Sequence, residues 1–203
     1  MASFNLKTKK IYKDMAAALS LIATSGVNCP RTGGVKSIRI IPTSGITEIV
    51  ASATKHSITD LTFATAGAGF GVLNFKRGEA ELTESMEQSN EVIINFAVPN
   101  PTAEQRFDLE KIRKNCESYL VVELYDKETL LFVGWDKLAE EEAFASFQSL
   151  ESTSGRAKTD ANLFAFNLRA EHSEILRTLS ELSSVSATTK TAIFAELDSP
   201  TNV

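Results

Sequence analysis

Residues 92–98 alternate strictly, with Val92, Ile94, Phe96 and Val98 on one side and Ile93, Asn95 and Ala97 on the other. A period of two held over seven residues cannot make the stripe of a helix, so it dictates a strand buried on one face. Phe164, Phe166, Leu168 and Ala170 repeat the pattern. Two such strands need sheet neighbours and a second layer to cover their apolar faces, which points to a mainly β fold. Shorter runs rich in Ile, Val, Thr and Phe supply the neighbours: Val35 to Ile41, Thr47 to Ala51, Ile58 to Ala64, and Val72 to Lys76 continuing past Gly78 to Leu82. Tyr119 to Tyr125 and Thr129 to Trp135 read as a hairpin joined by residues 126–128. Phe144 to Leu150 fits a strand, and a helix fits it almost as well.

Three segments read as helices. Ile11, Met15, Ala18, Leu19 and Ile22 share one helical face before the stop at Ser25 and Gly26, and Ile11, Met15, Leu19 and Ile22 form a candidate assembly surface. This arm, residues 1–28, is expected to pack on its own sheet in preference to a neighbour's. Thr102 followed by Gln105 has the spacing of a capping box and opens a helix over about residues 102–117, with Leu109, Ile112, Cys116 and Leu120 as its buried stripe. Ser173 to Leu182 is expected to be a short helix, and Ala192 to Leu197 one more strand in a Ser/Thr-rich tail. The expected organisation is therefore an arm at 1–28, a β-sandwich or barrel core with one flanking helix at 29–172, and a C-terminal helix and tail at 173–203.

Chemistry-bearing residues are scarce. The 203 residues include 2 histidines and 2 cysteines. His56 and His172 lie far apart in sequence, and neither Cys29 nor Cys116 belongs to a CxxC pair, so no metal ligand set or redox pair is indicated. Each histidine is read as a surface residue beside a strand end. Gly67, Gly69 and Gly71 superficially suggest a dinucleotide loop, but they lead into a strand instead of a helix N-terminus, and a glycine-rich turn is expected instead. No nucleophile elbow is present, and neither enzymatic activity nor a cofactor is expected. No apolar run is long enough to span a bilayer, and no membrane partner is expected. Lysines before Met15 raise the question of a signal peptide, which Asp14 and Ser20 argue against.

Charge offers one further clue. With 21 basic against 26 acidic residues the net charge is −5, which weighs against a surface that grips nucleic-acid phosphates. Glu79, Glu81, Glu87 and Glu91 share odd parity and would point to one side wherever the chain is extended. They are either a solvated strand face or a surface past which a polyanion slides without being held.

Three stretches together resemble tail-tube-like structural proteins of tailed bacteriophages that infect Bacteroidota. They are residues 29–42, from Cys29 and Pro30 into a strand; residues 73–84, leading through a strand and a helix to the hairpin that closes at Val133 to Asp136; and residues 153–171, a polar loop with Asp160 and a closing strand. The resemblance implies a β-sandwich or barrel of the tail-tube type, assembled as hexameric rings that stack into a tube for DNA ejection. It implies a virion (tail) location after assembly in the host cytoplasm, contacts with other tail or neck proteins, and transient passage of DNA. Glu79, Glu81, Glu87 and Glu91 are then candidate channel-facing residues. A head-to-tail connector or tail-completion ring is the alternative within that class, and a carbohydrate-binding β-sandwich module the alternative outside it.

Overall fold

The computed structural model describes residues 34–86, 89–115, 117–125, 129–136, 141–153 and 163–203. The expected arm, with Ile11, Met15, Leu19 and Ile22, lies outside them, as do Glu87 and Cys116. In chain order the described elements are β1 (Val35–Pro42), β2 (Ile46–Ala51), β3 (Ser57–Phe63), β4 (Gly71–Asn74), β5 (Ala80–Met86), β6 (Asn90–Pro99), α1 (Ala103–Asn115), β7 (Glu117–Leu124) and β8 (Leu130–Val133). They continue with β9 (Trp135–Asp136), β10 (Glu141–Glu142), β11 (Ala145–Thr153), β12 (Leu163–His172), β13 (Arg177–Leu179) and α2 (Lys190–Asp198).

The mainly β class is as expected. The strands pair in the order β2-β3-β13-β8-β7-β11-β12-β6-β5, with β1 joining β7 to β4. The sheet does not close into a barrel. Strand β7 is its hub: β1 runs along one edge from Ser118 to Leu124, while β8 takes Leu120 to Glu123 and β11 takes Glu117 and Ser118 on the other. The chain leaves β8 at Gly134, whose φ of +131° suits glycine and whose missing side chain makes room for the Tyr119 ring.

That divergence folds the sheet over itself. Ile38, Ile40, Leu120, Val122 and Val133 from one half share a core with Val92, Ile94, Phe96, Phe166 and Leu168 from the other. Phe96 and Phe166 stack at its centre, 5.0 Å apart and nearly parallel. Leu109 of α1 completes this core, and the capping box forms as expected, Thr102 N–H donating to Gln105 and Gln105 N–H to the Thr102 hydroxyl. Helix α1 ends at Asn115, so Leu120 belongs to β7 and not to the helical stripe. Val72 to Leu82 likewise divides, because β4 pairs with β1 and β5 with β6.

A second core lies on the opposite face of the β1-β7-β8 layer, where Tyr119, Val121, Phe132, Ile58 and Leu61 meet Ile193 and Leu197 of α2. Each aliphatic side chain removed from water this way contributes about 1.5–3 kcal/mol. The C-terminal segment thus reverses two expectations. Ala192 to Leu197 is helical, because Thr189 caps the Ala192 N–H and Ile193 and Leu197 fall four apart on one buried face. Residues 177–179 are a strand instead of part of a helix, because the backbone of Arg177 to Leu179 pairs with β8 on one side and β3 on the other.

Charged groups lock α2 down. Arg39, buried in β1, reaches both carboxylate oxygens of Asp198 at 2.8 and 3.3 Å, and its guanidinium sits 3.5 Å from the centre of the Phe194 ring. Glu123, buried in β7, takes Lys36 and the Ser37 hydroxyl at 2.8 Å each and pairs with Lys190 at the start of α2. The residues after α2 stay bound too: Phe70 N–H donates to Leu197 O, Gly67 N–H to Pro200 O and Phe63 N–H to Asn202 O. Gly69 is required here, since a Cβ would fall 2.2 Å from the Leu197 carbonyl oxygen. The glycine-rich loop is therefore a seat for the C-terminus, and residues beyond His172 belong to the same compact unit as the strands before them.

Burial pushes the Glu123 carboxyl up, but hydrogen bonds from Lys190, Lys36 and Ser37 outweigh it and hold the pKa down at about 2. This group therefore contributes stability above the ordinary carboxylate value of 4.5, and the contribution fades as pH falls toward 2. Glu123→Gln should cost about 2–3 kcal/mol at pH 7, since it leaves Lys190 without a counter-charge. Urea denaturation at pH 7 and at pH 3 should show the gap between wild type and variant narrowing at the lower pH.

Candidate functional site

The outward face of the β11-β12-β6-β5 layer carries the most distinctive polar arrangement among the described residues. Register places Glu81, Asn95, Asn167 and Ser149 in one line across four strands. Asn167 Nδ2 donates to Asn95 Oδ1 at 2.7 Å, and Asn95 Nδ2 donates to Glu81 Oε1 at 3.0 Å. These odd-numbered positions face away from the core because Val92, Ile94 and Phe96 occupy the inner face of β6. Asparagine is disfavoured in the middle of strands, so two of them side by side give up intrinsic preference for a cross-strand amide link.

An open concavity of about 710 Å³ lies along this face, lined among others by Glu79, Glu81, Thr83, Asn95, Asn167 and Glu151. The next row holds Glu91 and Glu171 around Arg169, which lies 2.8 Å from Glu91 and 2.7 Å from Glu171. Four carboxylates, Glu81, Glu91, Glu151 and Glu171, thus face outward here against a single guanidinium. The outward positions of the four strands hold Glu, Asn, Ser, Thr and Ala together with Arg169, Ile93, Pro99 and Leu163, with no aromatic side chain among them.

Of the acidic residues singled out by parity, Glu81 and Glu91 share this face. Glu79 sits at its rim in the turn before β5, where its carboxylate accepts the Lys76 N–H at 2.7 Å and closes its own turn. Glu87 lies outside the described residues. Sequence reading missed Asn95, Asn167 and Glu151, although Asn95 and Asn167 were legible as polar residues at outward positions of the two clearest alternating strands. His172 differs from expectation. It is 3% exposed, with burial as the largest influence lowering its pKa, only partly offset by Asp136, Glu84, Glu174 and the Trp135 backbone. His56 is exposed, as expected.

Among the described residues no group of three or more His, Cys, Asp or Glu side chains is placed to hold a metal ion, and no helix is long and apolar enough to cross a membrane. No protein-family model matches the chain, and comparison with curated proteins finds no significant match.

The amide link makes a direct prediction. Asn95→Asp would replace the Nδ2 donor that faces Glu81 with a second carboxylate oxygen, while the other oxygen still accepts from Asn167 Nδ2, and it should cost about 1 kcal/mol at pH 7 and low salt. Thermal unfolding should show part of that loss recovered as added salt screens the pair.

Proposed function

We propose that this chain is a virion structural protein of the tail-tube type, whose β11-β12-β6-β5 face lines a passage for DNA in stacked rings. The observation that carries this reading is the composition of that face: a concave, amide-linked surface with four carboxylates, one guanidinium already paired between two of them, and no aromatic platform. Such a surface repels phosphate at short range and offers nothing for bases to stack on, so a duplex can move along it without being held. The same lack of aromatic side chains disfavours a carbohydrate-binding module, which recognises sugar rings through such platforms.

The open sheet adds support. Its terminal strands β2 and β5, and β4 beside β1, each have only one strand neighbour among the described residues. Unpaired strand edges are covered by neighbouring subunits in closed assemblies, which resolves the aggregation hazard they otherwise create. A head-to-tail connector or completion ring would use the same face and the same edges, and differs in not stacking. Neither reading calls for catalysis or a cofactor.

Electron microscopy and sedimentation of the purified chain provide the test. Stacked rings with a central hole are the expected outcome, single rings that never stack indicate the connector, and a chain that stays monomeric at every concentration overturns both. Assembled wild type should not retain duplex DNA at about 0.15 M salt, where charges are screened beyond roughly 8 Å, while Glu81→Lys combined with Glu151→Lys should retain it in a salt-dependent way.

A further inference from the structure

The two histidines of the chain, 116 positions apart in sequence, converge on one carboxylate. His56, just before β3, holds the Ile175 carbonyl with Nε2 at 2.7 Å and turns Nδ1 toward Glu174 at 3.7 Å. A carbonyl only accepts, so Nε2 is the donor. Glu174 is also clamped by Arg177 of β13, at 2.7 and 2.9 Å, and lies among the acidic groups that act on His172. His172 ends β12 directly opposite Asn90 of β6, and both are buried.

This cluster ties down one segment, residues 173–182. Ser173 N–H donates to Asp136 of β9, and Leu176 N–H donates to Glu84 of β5 at 2.9 Å. Asn90 Nδ2 donates to Glu84 at 2.9 Å and to the Glu174 carbonyl at 3.1 Å. Arg177 reaches the Lys55 carbonyl at 3.4 Å, and Thr178 N–H the His56 carbonyl at 3.3 Å. Strand β13, at the centre of the segment, is the only strand that links β3 to β8 among the described residues.

His172 is the member of this cluster whose protonation in place burial disfavours. Its Nε2 is buried without a hydrogen-bond partner, so its link to the Trp135 backbone runs through Nδ1. A second proton would put an N–H donor and a positive charge at a position with no acceptor. Asp136 of β9, Glu84 of β5 and Glu174 of the segment itself draw the ring toward the charged form, and Arg177 is engaged with Glu174. Burial outweighs the three carboxylates, so the folded ring stays neutral below the pH at which an exposed histidine would charge.

We propose that His172 is the trigger of an acid-sensitive clasp: when it is protonated, residues 173–182 open, β13 leaves the sheet, and the edges of β3 and β8 are exposed. Because the folded pKa lies below 6.5, the open form binds the extra proton, and the clasp is fully closed above that pH and weakens as pH falls through it. One such proton can favour opening by at most about 30-fold between pH 7.5 and 5.0. The device does not depend on the tube reading and holds for any assembly of the chain.

Hydrogen–deuterium exchange on the full chain at pH 7.5 and 5.0, corrected for intrinsic exchange rates, tests it. In wild type, protection of residues 176–182 should fall about tenfold at pH 5.0 relative to residues 118–124, and in His172→Gln it should fall less than about twofold. Undiminished protection in wild type overturns the proposal, and so does a His172→Gln chain that keeps the tenfold loss, because the carboxylates would then be responsible. Should the variant fail to fold, the wild-type His172 ring signals in NMR decide: titration in step with the loss of protection supports the clasp, and titration without that loss overturns it.

Discussion

Strand β7 is buried on both faces, and the rest of the molecule is arranged to make that possible. One face of its Tyr119–Val122 stretch feeds the core between the two halves of the folded sheet, and the other feeds the core beneath α2. A strand buried this way must be apolar throughout, except where a charge has its own partners. Glu123 is that exception. Its carboxylate is matched by Lys36, Ser37 and Lys190, so the same residue that would weaken the sheet if left alone fastens the C-terminal helix over it. The seat for the C-terminus at Gly69 and the Arg39–Asp198 pair follow from the same need to cover the second face.

Legibility in the sequence follows this layering. Strands β6 and β12 are buried on one face, and strict alternation identified them at once. The capping box at Thr102 and Gln105 was readable because both its bonds are local. What escaped was decided by distant partners. Leu176, Leu179 and Leu182 have spacings compatible with a helix, yet β3 and β8 claim the backbone of residues 177–179. Ile193 and Leu197 stand four apart, but the intervening Phe194 and Ala195 blur the helical stripe into an apolar run that reads equally as a strand.

The candidate face was half legible for a similar reason. Parity grouped Glu81 with Glu91 correctly, because side-chain direction in a strand is set locally. It also enrolled Glu79, which precedes the strand and spends its carboxylate on its own turn. Parity had nothing to say about Glu151 or Glu171, which reach the face through pairing of β11 with β12 and β12 with β6. The link from Glu81 through Asn95 to Asn167 depends on registers across three strands, and no single segment encodes it. His172 was misjudged because a position at a strand end looks exposed until Asp136 and residues 173–176 are folded over it.

The proposed tube role requires one structural arrangement: the β11-β12-β6-β5 face must look toward the axis of the assembly. A cryo-electron microscopy reconstruction of the assembled chain measures this directly. Glu81, Asn95 and Asn167 are predicted to line the central hole, with Glu91 and Glu171 on the same wall. A reconstruction in which that face is packed against a neighbouring subunit, or lies on the outer surface of the particle, would contradict it.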